Sequence, residues 1–137
     1  MLEQNWGRII FISSKSGVQI PAEMIHYGTT KTAQLGVSRG LAQQTAGTNV
    51  TVNTVIPGST RSEESEKFIS DLAQEHGLSK EEVKRKFFEK VKPTCLLERF
   101  ATIDEVATFV TYLTSPLAVA NNGAALRVDG STVPTIL

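Results

Sequence analysis

Residues 8–13, "RIIFIS", form a run of β-branched and aromatic residues with none of the polar alternation of a half-buried strand. That pattern predicts a strand covered on both faces, the kind found in parallel sheets. A second run, "NVTVNTVI" (49–56), has the same character. Between them, "SKSGVQIPAEM" (14–24) is broken by Gly17 and Pro21 and predicts a loop. From about Ile25 to Ala46 the residues suit a helix, many of them small: Gly28, Ala33, Gly36, Ser38, Gly40 and Ala42. Strand, helix and strand at this spacing make a βαβ unit, with parallel pairing and a right-handed crossover.

Residues 63–92 change character. "EESEKFISDLAQEH" and "SKEEVKRKFFEKV" predict two short charged helices with apolar stripes at Phe68/Leu72 and Val83/Phe87/Val91. Ser79 with Glu82, and Thr102 with Glu105, have the spacing of capping boxes, the second opening a helix over "IDEVATFVTYLTS" that Pro116 ends. "GAALRVDG" (123–130) predicts a third strand.

The composition excludes several classes. Fourteen basic and fourteen acidic residues cancel within 137, so no global field recruits nucleic acid or an anionic membrane. One cysteine, Cys95, permits no internal disulfide and suits a reducing compartment; a small packing residue is its expected role. No apolar stretch is long enough to span a bilayer. Two histidines, His26 and His76, supply no metal-ligand pattern. The expectation is a single soluble, cytoplasmic domain.

Open parallel sheets bind ligands outside the carboxyl ends of their strands. Ser13 and Ser14 follow the first strand, "PGSTRS" (57–62) follows the second, and Tyr27 starts the intervening helix. Tyr27 and Lys31 are one helical turn apart, so both side chains project the same way. An ammonium near a phenol favours the phenolate, which suits proton exchange near neutrality. On its own the pair is weak evidence, and a solvated helix surface is the better reading of it in isolation.

Taken together, "GRIIFISSKSG", Tyr27 and Lys31, "NVTVNTVIPG", "RF…DEVA" and "GAALRVDG" resemble the short-chain dehydrogenase/reductase family, in order and spacing, over almost the whole chain. The resemblance implies a Rossmann-type α/β oxidoreductase that interconverts a carbonyl and an alcohol with NAD or NADP. Ser14, thirteen residues before Tyr27, takes the family's serine position better than Ser13. It would orient the substrate oxygen, Tyr27 would exchange the proton, and Lys31 would tune the tyrosine and bind the nicotinamide ribose. Pro57 and Gly58 would sit beside the nicotinamide, with Thr60 at the carboxamide and Ser62 where a threonine is more usual. Residues 63–92 would form a substrate lid, and family members commonly assemble through the helix that corresponds to 25–46, implying a homo-oligomer.

The family's glycine-rich phosphate turn has no counterpart. "GVSRGLA" (36–42) imitates its spacing, but no strand feeds it and it lies within the predicted helix. The expected fold is therefore an incomplete Rossmann-like sheet of three strands, lacking its amino-terminal βαβ units and beginning just before the family's fifth strand. Met1 would then fall inside a longer frame. The alternative expectation is a non-catalytic remnant that persists as an oligomerisation or interaction module. A glycine-rich strand-turn-helix encoded in frame upstream would favour the enzyme, and a stop or frameshift the remnant.

Overall fold

A computed structural model describes residues 1–136. Three parallel strands stand in the order β1 (Gly7–Ile12), β2 (Val50–Pro57), β3 (Ala125–Val128). The crossover from β1 to β2 is α1 (Ile25–Gln44), as the βαβ pattern predicts. Helices α2 (Glu63–His76), α3 (Lys80–Lys86) and α4 (Ile103–Thr114) follow β2 before the chain returns to β3.

β2 is central and buried along nearly its whole length, which is why its sequence carries no alternation. β1 has the same composition but is only half-buried, because it is the sheet edge. Ser13 N–H still donates to Val55 O at 2.9 Å. The Ile12 carbonyl, on the opposite side of that trans peptide, faces the open edge. Around this edge Met1, Leu2, Trp6 and Ile12 are exposed.

Two apolar clusters organise the chain. Val55, Leu113 and Ala118 form the first, with Ile10, Phe109, Val110, Leu126 and Val128 packed on it, so α4 covers the sheet. Ile69, Ala73 and Val83 form the second, within 63–92 and separate from the sheet. β3 is shorter than its pattern predicts. Asp129 turns the chain by accepting the N–H groups of Ser131 and Val133, both at 3.1 Å, and Gly130 takes φ 60°.

The capping boxes at Ser79/Glu82 and Thr102/Glu105 are both formed. The apolar stripes of 63–92 need correction. Ile69 and Ala73, not Phe68, turn inward on α2, and Phe68 is 47% exposed. The second predicted helix is α-helical only to Lys86 and continues as a π turn over Phe87–Val91, closed by Lys92 N–H to Phe87 O at 3.0 Å. One extra residue per turn shifts the inward face, so Phe88 is buried, Phe87 is only half-buried and Val91 is exposed. Phe87, Phe88 and Phe100 pack with ring centroids 5.0–5.4 Å apart. Cys95 is buried, with Sγ 3.3 Å from where a Cβ on Gly130 would sit.

Candidate active site

The carboxyl ends of β1 and β2 open into a cleft of about 660 Å3 that collects Ser14, Tyr27, Lys31, Pro57, Gly58 and Thr60. Residues distant in sequence meet there because parallel strands deliver their following loops to one sheet edge. The opposite wall is α4, through Ile103, Val106 and Val110. Sequence analysis predicted that helix but gave it no part in the site. The apolar residue Ile103 at its capped start, 62% accessible in the fold, was the available signal for a face turned to the cleft.

Each polar member is held by identifiable contacts. Ser13 is buried and its hydroxyl donates to the Lys31 carbonyl at 2.8 Å, so it is committed to fastening β1 to α1. Ser14 is the N-cap of a 3-10 turn, Lys15–Gly17; its Oγ accepts the Ser16 N–H at 3.1 Å. Among the described contacts the Ser14 O–H donates to nothing, so it is free to meet a ligand oxygen. The geometry thus separates two adjacent serines that composition alone does not.

The 3-10 turn presses directly on α1. A Cβ on Gly17 would lie 2.8 Å from the Lys31 carbonyl carbon, and one on Gly28 would lie 2.8 Å from Ser16 O. Glycine at both positions lets the Ser14 loop and the Tyr27/Lys31 turn approach to backbone contact. Lys31 Nζ lies 5.6 Å from the Tyr27 ring centroid and donates to Ile12 O at 3.0 Å. The ammonium is thereby fixed near the phenol, with two further N–H groups to offer a ligand.

On the β2 side, Gly58 N–H donates to Val128 O at 3.0 Å, and a Cβ there would come within 2.7 Å of Asp129 Cα. Thr60 pairs in parallel with Ala101, and Ala101 N–H donates to Ser59 O at 2.9 Å, fixing the segment that leads into α2. Thr60 Oγ1 donates to Gly58 O at 3.3 Å. Ser62 is not brought into the cleft: it caps α2, accepting the Ser65 N–H at 3.3 Å. "GVSRGLA" (36–42) lies wholly inside α1, as expected of a sequence that only imitates a phosphate loop.

This parallel sheet with a serine, a tyrosine and a lysine at its carboxyl end is the Rossmann arrangement of an oxidoreductase family. A family model described as enoyl-(acyl carrier protein) reductase matches residues 1–131, and the chain belongs to the short-chain dehydrogenase/reductase family. It is 46% identical over 136 residues to the Bacillus subtilis (strain 168) oxidoreductase YvaG, covering 99% of this chain and 52% of that one. It is 36% identical to the 3-oxoacyl-[acyl-carrier-protein] reductase FabG of Aquifex aeolicus (strain VF5), covering 95% and 46%. Among solved structures, L-sorbose reductase from Gluconobacter frateurii, complexed with NADPH and L-sorbose, superposes with a TM-score of 0.88 at 27% identity, covering 98% and 50%. The chain spans about half the length of the relatives it matches. No helix among the described residues is long and apolar enough to cross a membrane.

Proposed function

We propose that this chain carries the catalytic half of an NAD(P)-dependent oxidoreductase that interconverts a carbonyl and an alcohol. The observation that supports it best is the convergence of an uncommitted Ser14 hydroxyl, the Tyr27 phenol and a fixed Lys31 ammonium in one cleft. The cleft suits a nicotinamide riboside: Lys31 offers unused donors to ribose hydroxyls, and the Pro57–Gly58 backbone with Val106 and Val110 offers an apolar surface for a flat ring. The nicotinamide, when bound, gives or takes the hydride.

In the reducing direction, Ser14 donates a hydrogen bond to the substrate carbonyl oxygen and holds it towards Tyr27. Tyr27 O–H gives that oxygen its proton as the carbonyl carbon becomes a C–H centre. The Lys31 charge, held by Ile12 O, stabilises the negative charge left on the phenol oxygen. Pro57, Gly58 and Thr60 position the ring side of the site; Ser62 contributes only by holding the start of α2. Residues 63–92, with their own apolar cluster, form the lid over the substrate. NADPH in the sorbose reductase complex and the reductase name of the Aquifex relative support this assignment. The open edge of β1, with its exposed apolar neighbours, makes the 137-residue chain alone oligomeric rather than a stable monomer by light scattering.

The test is completion. Fused behind the amino-terminal half of the Bacillus subtilis relative, the chain is expected to consume NADH or NADPH with a carbonyl substrate. Tyr27→Phe is expected to cut turnover roughly a hundred- to ten-thousand-fold while sparing cofactor binding. Near wild-type turnover by the Tyr27→Phe fusion would remove the tyrosine from this role.

A further inference from the structure

Helices α2 and α3 turn back on each other at Gly77, which takes φ 63°, and they pack together through Ile69, Ala73 and Val83. Beside that cluster they leave a groove of about 250 Å3. Phe68 and Leu72, one turn apart on α2, line it from one side; Phe87 and Val91, in the π turn after α3, line it from the other. The Phe68 and Phe87 rings meet edge to face with centroids 6.3 Å apart. The π turn makes the groove. It gives the buried seat to Phe88, which leaves Phe87 half-buried and Val91 56% exposed, opposite a Phe68 that is 47% exposed. Apolar side chains left in water forfeit their burial, and π turns recur at functional sites.

The rim is cationic. Lys86 and Lys90 flank the π-turn side, His76 ends α2, and no carboxylate lines the groove. Among the described residues none of these three joins an ion pair. The neighbouring carboxylates have partners of their own. Glu89 pairs with Arg85 at 2.9 Å, and Glu82, which attracts Lys86 through space, accepts the Ser79 N–H at 2.9 Å and its hydroxyl at 2.8 Å.

Size and chemistry select the occupant. An α-helix, about 10–12 Å across with its side chains, is too thick for so small a groove. At roughly 30 Å3 for a water-sized group, the space holds about eight such groups. Apolar walls offer a polar chain nothing to replace the hydrogen bonds it gives up in water. A slim alkyl chain meets both limits, and a negative head matches the lysines.

We propose that the groove between α2 and the π turn binds an anionic alkyl amphiphile, a carboxylate with an unbranched chain of about eight carbons. The chain lies on Phe68, Leu72, Phe87 and Val91, and the carboxylate meets Lys86 and Lys90. The groove shares no lining residue with the cleft that holds Ser14, Tyr27 and Lys31, so the site does not depend on the proposed reaction. Its walls belong to two elements, so an occupant ties α2 to the π turn and holds segment 63–92 against local opening.

The experiment is hydrogen exchange of the 137-residue chain, read by mass spectrometry, with octanoate below its micelle concentration. Octanol, octylammonium and acetate are the comparison probes. Octanoate at about ten times its Kd is expected to slow exchange over 68–91 about tenfold and to leave 50–56 unchanged. Octanol and octylammonium are expected to protect several-fold less, and acetate not at all. Val91→Asp, an exposed position, is expected to abolish the octanoate effect. The double variant Lys86→Glu/Lys90→Glu is expected to lose octanoate and gain protection by octylammonium, with exchange over 50–56 unaltered in both variants. No protection by octanoate, equal protection by octanol, or full protection in Val91→Asp would overturn the site. Protection over 68–91 that rises with chain concentration and ignores octanoate would give the groove to a second copy and overturn it equally.

Discussion

The Lys31 ammonium donates to the Ile12 carbonyl at 3.0 Å, from a helix on one element to the last outward-facing carbonyl of the strand before it. That carbonyl has no strand partner, since β1 is the sheet edge. The lysine therefore joins the site to the edge: one contact both positions the charge near Tyr27 and satisfies an open backbone group. Lys31→Met is expected to lower the melting temperature of the chain by a few degrees, the loss of one charge-assisted hydrogen bond. In the completed fusion it is expected to weaken both turnover and cofactor affinity, whereas Tyr27→Phe weakens turnover alone. Calorimetry of the two variants, with cofactor titration, separates them; equal effects on cofactor affinity would refute the division of roles.

Gly58 sits where β2 leaves the sheet and has no room for a side chain. An added Cβ lies 2.7 Å from Asp129 Cα and 2.8 Å from Asp129 O, both backbone atoms of the turn after β3. Gly58→Ala is expected to destabilise the chain by about 2 kcal/mol, because backbone cannot rotate away as a flexible side chain does. Gly36→Ala, where a Cβ meets nothing within 4 Å, is expected to be neutral or mildly stabilising. Chemical denaturation of the pair measures the contrast, and equal stability of the two variants would contradict it.

Arg99 clamps Glu105 with two hydrogen bonds of 2.9 and 2.7 Å, while Glu105 also accepts the Thr102 N–H at 2.8 Å. The guanidinium, and then the backbone N–H, lower the carboxyl from 4.5 to about 2. A carboxylate depressed on folding contributes stability that is fully present above its unfolded value and fades as pH falls through about 2. The melting temperature of wild type is therefore expected to exceed that of Glu105→Gln by a constant margin above about pH 5.5. The margin should narrow progressively below that and shrink in high salt, since the pair is solvent-exposed. A margin independent of pH down to pH 2 would refute the assignment.

Residues 63–92, the proposed lid, have their own small cluster of Ile69, Ala73 and Val83, whereas β2 is buried within the sheet. Local opening needs less buried surface to be exposed in that segment. Amides of residues 69–91 are expected to exchange with solvent faster than those of 50–56 in the same sample. Equal or greater protection in 69–91 would place the stable core there instead.

Much of the architecture was legible locally. The unalternating runs at 8–13 and 49–56, the capping pairs at Ser79/Glu82 and Thr102/Glu105, and the turn spacing of Tyr27 and Lys31 are each set by hydrogen bonding or side-chain direction within a few residues. Burial in a sheet, the satisfaction of helix-end N–H groups and the helical repeat leave direct marks on sequence. Membership of the family, carried by those same motifs in order, was legible for the same reason.

Other features depended on which distant atoms come together. Ser13 and Ser14 are the same residue type, and only the packing of α1 against β1 commits one hydroxyl and frees the other. The π turn moves Phe88 into the position that a regular helix gives Phe87, because closing the helix around Phe100 and the second cluster favours one extra residue over the standard repeat. Gly58 meets Asp129 through strand order and loop anchoring. Chain segments record the contacts they make with themselves; contacts between segments depend on the sum of many weak packing terms, which no single stretch encodes.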